Sequence, residues 1–121
     1  MINIKENRKH RRVEAFVPLR YKELRGTTYL TKGTLSKNLS EGGARFSTDK
    51  FIQLSSHLMI EMRLPKIPRD IKMISKIAWI KKLPDCDEYE IGSNFLAMSD
   101  EDEALISSFV KAFLKSSPKI T

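Results

Sequence analysis

Two short stretches of the chain combine residue types and spacings that could do chemistry. The first is Arg8-Lys9-His10-Arg11-Arg12, in which Arg8 and Arg12 stand four residues apart. An arginine guanidinium is a planar fork of N–H donors, a shape that fits a phosphate and also the O6/N7 edge of guanine. A solvated basic leader has the same composition, so the run alone does not separate ligand binding from solubility. The second stretch is Asn38-Leu39-Ser40-Glu41-Gly42-Gly43. In an extended chain Asn38 and Ser40 face the same way and present an amide and a hydroxyl together. Gly42 or Gly43 would let the backbone turn through positive φ, or let a flat ligand approach closely. An ordinary turn between strands is the alternative reading.

The other reactive side chains form no comparable pattern. Cys86 is the single cysteine, which excludes an internal disulfide framework and a CxxC zinc knuckle and suits a reducing cytoplasm. His10 and His57 lie far apart in sequence, so no metal site is assigned. Asp85, Asp87, Glu88 and Glu90 lack the oxygen-rich loop pattern of a cation site, and Cys86 has no evident base beside it. No catalytic residue is assigned, and an enzyme is the least supported class. With 121 residues, 40% hydrophobic and 31% charged, the chain has the size and composition of one soluble domain. Its formal charge of +7 is unevenly placed. Lys5, Arg8, Lys9, Arg11, Arg12, Arg20, Lys22 and Arg25 crowd the first 25 residues, whereas residues 85–103 carry acidic side chains and no basic one. Such a basic segment concentrates anions without saying which. No apolar run reaches the ~18 residues of a membrane span, and MINIKENRKHRR does not read as a signal peptide.

Positioning these stretches requires strands. Phe16 to Lys22 alternates, with Val17, Leu19 and Tyr21 on one face, and Pro18 argues for an edge or early position. Thr27 to Lys37 reads as a long strand with Tyr29 and Leu35 on one face, running into the Asn38–Gly43 turn, and Ala44 to Phe46 as a short one. Leu58, Ile60, Met62 and Leu64 point inward from the next strand, with Met59, Glu61 and Arg63 outward. A turn at Lys66 to Asp70 leads into Ile71 to Lys81. That strand has apolar residues on both faces, as a twisted or bulged strand would. After an acidic turn, Tyr89, Ile91, Ser93 and Phe95 alternate again. Ser99 with Asp102 then fits a capping box, and Leu105, Ile106, Phe109, Val110 and Phe113 repeat at helical spacing, so one amphipathic helix is expected over about 99–115. Strands without intervening helices exclude a βαβ architecture and predict a small closed or partly closed antiparallel barrel with its last helix covering an opening or a side. The expected organisation is a flexible basic arm over 1–13, the barrel with its helix over 14–115, and a tail over 116–121.

Taken together, the stretches resemble the PilZ domain family. Arg8-Lys9-His10-Arg11-Arg12 matches its RxxxR, and Asn38 to Gly43 matches its [D/N]xSxxG. Phe16-Val17-Pro18-Leu19-Arg20-Tyr21 is similar to the family's opening strand, and Ile91 to Phe95 with the closing helix to its tail. The resemblance covers about residues 7–114. It implies a six-stranded antiparallel (split) barrel with a C-terminal helix, and a receptor for cyclic di-GMP, a bacterial second messenger bound as one molecule or as an intercalated pair. Arg8 and Arg12 would clasp guanine edges and phosphates, Asn38 and Ser40 would supply the motif's polar pair, and Gly43 its closing glycine. Lys9, His10, Arg11 and Gly42 are candidates for further contacts. Asn38 where the motif also allows Asp keeps a carbonyl acceptor without a carboxylate, which predicts a weaker guanine contact. No cofactor is implied, and signalling would pass to an unidentified downstream protein.

Two other classes compete. A small basic barrel could bind single-stranded nucleic acid. Aromatic residues are only 8%, however, and alternation places Phe16, Phe46, Trp79 and Phe95 mostly inward, which leaves no stacking platform. A PilZ-fold interaction module that senses no nucleotide is the other, and its motifs would be expected to be eroded.

Overall fold

The computed structural model describes residues 12–24 and 32–116. Their alternating segments form strands β1 (Pro18–Glu23), β2 (Lys32–Leu39), β3 (Gly43–Thr48), β4 (His57–Met62), β5 (Ile71–Lys82) and β6 (Tyr89–Ala97). The helix α1 (Asp100–Ser116) follows. All strand pairings are antiparallel and close a barrel in the order β1-β2-β3-β6-β5-β4. Closure leaves no strand edge unpaired. The joins β3–β6 and β1–β4 connect the first three strands to the last three.

Period-two burial explains the interior. Val17, Leu19 and Tyr21 face inward from the β1 segment, and Leu58, Ile60 and Met62 from β4, followed by Leu64 beyond its end. Phe46, Ile71, Met73, Ile77 and Ile91 complete the wall of a single hydrophobic cluster. Tyr21 carries its hydroxyl inside by donating to Thr48 Oγ1 at 2.6 Å. β5 is bulged against β6 between Ile74 and Ser75 and again between Ile77 and Trp79. The first leaves the extra residue in β6, whereas the second inserts Ala78 into β5 and reverses the faces beyond it, which is how this strand comes to show apolar side chains on both faces.

Two expectations are corrected, at Asn38 and at Phe16. The second strand reaches Leu39, so Asn38 lies within β2 and not in the turn, while residues 27–31 of the expected strand, Tyr29 included, fall outside the described residues. Leu35, for which no direction is expected, is 52% exposed, because its neighbour Ser36 is the residue that turns inward. Phe16 is 72% exposed, since it alternates with Val17, Leu19 and Tyr21, whose inward direction forces it outward.

Helix α1 begins as its sequence dictates. Ser99 Oγ accepts the Asp102 N–H at 3.1 Å, and Asp100, Glu101, Asp102 and Glu103 fill the first turn, where the helix dipole favours negative charge. Ile106 and Val110 are buried in the barrel's cluster, with Leu105, Phe109 and Phe113 packed around them. Asp102 ties the helix down, its carboxylate accepting the Lys72 N–H at 3.2 Å and pairing with Arg69 at 2.7 Å.

Candidate functional site

The segment before β1 is held against the end of β2. Val13 and Leu39 exchange both backbone hydrogen bonds, at 2.8 and 2.9 Å. Ser36 adds a buried clamp. Its hydroxyl accepts the Val17 N–H at 2.9 Å and donates to the Ala15 carbonyl. In this antiparallel register the residue before Val13 stands beside the residue after Leu39, so the exposed Arg12 runs alongside Ser40. Arg8, Lys9, His10 and Arg11 lie outside the described residues.

Ser40 and Gly43 shape the turn. Ser40 Oγ accepts the N–H groups of Gly42 and Gly43, each at 3.1 Å, and the Ser40 N–H donates to the Gly43 carbonyl at 2.9 Å. The serine thus does the work of an ordinary turn residue and is 95% buried, at 5% exposure. Gly43 owes its place to crowding: a Cβ there would collide with the Ser93 carbonyl on β6. Asn38 is nearly buried at 8% exposure, and among the described residues its side chain makes no hydrogen bond.

Strand pairing extends the site across the sheet. Residues directly opposite one another share a face, and Asn38 pairs with Arg45, Arg45 with Gly92, and Gly92 with Trp79. This rung crosses β2, β3, β6 and β5 on the barrel's outer face. Trp79 therefore points outward, correcting its expected inward position, and its indole lies where a Gly92 Cβ would be. Lys81 sits with its ammonium 6.0 Å from the Trp79 ring. A second outer rung, Gly43, Asn94 and Lys76, flanks the first on one side, and a third, Ser47, Glu90 and Lys81, on the other.

Glu90 is the electrostatic centre of this face. Its side chain is only 7% exposed, with Lys37 at 3.2 Å and both Arg45 and Lys81 at 3.6 Å. Burial pushes the Glu90 carboxyl up, but the Lys37 hydrogen bond and the Arg45, Lys37 and Lys81 charges more than reverse this, leaving it below the usual carboxylate value. Three cations thus converge on one carboxylate, with Lys76 on the flanking rung and a flat indole at one end. The chemistry of this face is that of a seat for an anion bearing an aromatic group.

The structure brings Arg12, Asn38, Ser40, Gly42 and Gly43 to one end of the barrel. Sequence reasoning did not select Arg45, Trp79, Lys81 or Glu90. Spacing along the chain could not have found them, because they join the motif only through pairing across β3, β6 and β5. Among the described residues no group of His, Cys, Asp and Glu could hold a metal ion, and no helix is long and apolar enough to cross a membrane. Cys86 is exposed in the β5–β6 turn, and His57 opens β4. A separate groove of about 440 Å³ lies between α1 and Leu64 to Ile67, lined mainly by apolar residues including Leu105, Phe109 and Phe113.

A closed six-stranded antiparallel barrel with a helix packed on it, and with the segment before β1 bridged to the end of β2, defines a class of small β-barrel domain. The chain belongs to the PilZ domain family, whose model matches residues 6–112. The fold agrees with solved structures at low sequence identity. Bacillus subtilis inhibitor of motility (MotI/DgrA) superposes with a TM-score of 0.73 at 19% identity, over 91% of this chain and 52% of that one. The PilZ domain of Escherichia coli YcgR, solved with c-di-GMP, gives 0.68 at 17% identity, over 89% of this chain and 92% of that one. The MrkH–c-di-GMP complex of K. pneumonia gives 0.71 at 15% identity, over 89% and 52%. The chain thus spans about half the length of MotI and MrkH and nearly all of the isolated YcgR domain. No curated protein matches it.

Proposed function

We propose that this chain is a cyclic di-GMP receptor that binds the dinucleotide between its N-terminal arginines and the outer face of the barrel. The observation that carries the reading is the Val13–Leu39 bridge, which aligns Arg12 with Ser40 at the end of the Asn38–Arg45–Gly92–Trp79 rung. Family membership supports it, as do the solved complexes of YcgR and MrkH with that nucleotide. In this arrangement Arg8 and Arg12 clasp guanine edges and phosphates. The Asn38 amide offers a carbonyl and an N–H to a base. Ser40 serves chiefly by holding the turn in shape, with Gly42 and Gly43 keeping its outer side open. Lys9, His10 and Arg11 add charge along the arm. Seating the arm ahead of the Val13 bridge onto bound nucleotide changes the surface offered to a downstream protein, which is how a domain with no assigned catalytic residue would signal. The reading carries with it a bacterial cytoplasm as the working compartment.

Calorimetry with cyclic di-GMP near 0.15 M salt, with GTP and cyclic di-AMP as controls, tests this. Selective binding in the low-micromolar range or tighter is expected, and its stoichiometry separates one nucleotide from an intercalated pair. Arg12→Ala should weaken binding by ~30-fold or more, as truncation of a desolvated charged contact costs ~2–5 kcal/mol. A silent titration together with unmoved amide NMR signals from residues 5–13 would leave a ligand-independent interaction module. The outward Phe16 and Trp79 remove the sequence-level argument that no aromatic platform exists. A single-stranded oligonucleotide is therefore included. Tight, length-dependent and strongly salt-sensitive binding to it would overturn the nucleotide reading.

A further inference from the structure

The outer face holds a charge arrangement that a simple anion-binding surface would not need. Lys37, Arg45 and Lys81 converge from three strands on the one carboxylate of Glu90, at 3.2 to 3.6 Å. Of the three contacts only that of Lys37 is within hydrogen-bond distance, and the Arg45 Nε–H is buried without a hydrogen-bond partner. Arg45 and Lys37 are nevertheless about one third exposed and Lys81 about two thirds, at 34%, 38% and 65% of their side-chain surfaces. The three cations are thus gathered, partly neutralised from beneath, and still open to solvent above. Without the carboxylate the same side chains would present three positive charges, the composition of a general polyphosphate trap.

We propose that Glu90 is a specificity-determining residue, an internal counter-ion that keeps the cationic face from capturing simple polyphosphates while holding Lys37, Arg45 and Lys81 in place. An incoming phosphate meets both the attraction of the cations and the repulsion of a carboxylate fixed just behind them. The carboxylate thus lowers the net charge available to hold a small polyanion by electrostatics alone. A ligand that also engages Asn38 and the Trp79 indole has other sources of affinity, so the carboxylate costs it proportionally less. Discrimination therefore comes from weakening what all anions share. The inference rests on reading this face as the ligand's seat, but its test does not require a cyclic dinucleotide.

Inorganic pyrophosphate is the probe, titrated near 0.15 M salt into the full chain and into Glu90→Gln, which keeps the volume and an acceptor but removes the charge. The expected result is ~10-fold tighter pyrophosphate binding by the variant, in line with removing one like charge several ångströms from the site. Cyclic di-GMP affinity should change by less, so that the ratio of the two falls. Equal pyrophosphate affinity in two folded proteins would overturn the proposal. Glu90→Asp covers the case in which Glu90→Gln does not fold. Drawing the carboxylate back by one methylene should give a several-fold gain for pyrophosphate, and no gain would again count against the role. A gain for pyrophosphate in a chain that binds no cyclic di-GMP would uphold the counter-ion and reject the receptor, so the two readings fail separately.

Discussion

Gly92 and Trp79 act as one unit, since the glycine's missing side chain is the space the indole fills. Gly92→Ala would drive a methyl into the ring, and the ring, half-buried on the outer face, is the movable partner. The expected outcome is a Trp79 displaced toward solvent, read as a red shift of the single tryptophan's fluorescence, with a stability loss of ~1–3 kcal/mol in a denaturant melt. An unshifted spectrum would show that the indole does not rest there. The same residues mark where sequence reading stops. The motif residues Asn38, Ser40 and Gly43 were legible because they lie within six consecutive positions, yet their individual duties were not. Gly43 looked like a source of positive φ and instead makes room for the Ser93 carbonyl. Ser40 looked like a ligand contact, and its part in shaping the turn, accepting the N–H groups of Gly42 and Gly43, was not foreseen. Trp79 looked inward because the bulge between Ile77 and Trp79 inserts one extra residue into β5 and reverses the faces beyond it.

At the scale of the element, the strands declared themselves wherever one face is apolar and the other polar, as in β4. β1 did so as well, although Phe16 just ahead of it places a hydrophobic side chain on the polar face. Helix α1 was legible from its cap and its repeat, but the repeat named more residues than the seam uses. Ile106 at 1% and Val110 at 2% exposure are the buried pair, while Leu105 and Phe109 flank them. Ile106→Ala should therefore cost ~2–5 kcal/mol in a denaturant melt. A loss under ~1 kcal/mol would mean that the helix is not packed as described. The end of β2 was the least legible boundary. Its last residues pair with the segment before β1 as well as with β3, and no local propensity records a partner that distant in the chain.

At the scale of the whole molecule, three carboxylates in different parts of the barrel, Asp49, Asp70 and Glu90, share a direction. The Lys32 hydrogen bond holds Asp49 below its usual value, the Arg63 hydrogen bond does the same for Asp70, and Glu90 is lowered despite its burial. A folded-state value below the unfolded one means that the unfolded chain takes up protons first as pH falls. The stabilisation is therefore complete above the ordinary carboxylate range and is lost as pH drops through the lowered values. The melting temperature should fall between about pH 6 and about pH 3, and a flat profile would contradict these pairings. Barrel closure, predicted from strands without intervening helices, also has a consequence in time. Strands β1 to β3 and β4 to β6 are two runs of neighbouring hairpins, each able to form from local contacts, and the Asn38–Arg45–Gly92–Trp79 rung exists only after the two runs have docked. A ligand spanning that rung meets no complete site in a half-assembled chain. Saturating cyclic di-GMP should accordingly slow unfolding and leave the refolding rate unchanged, a pairing that stopped-flow measurements of both limbs would register. Ligand-accelerated refolding would place the rung in the nucleus instead. In a cell such a messenger would act as a brake on the domain's turnover, lengthening the life of each folded molecule without helping a new one to fold.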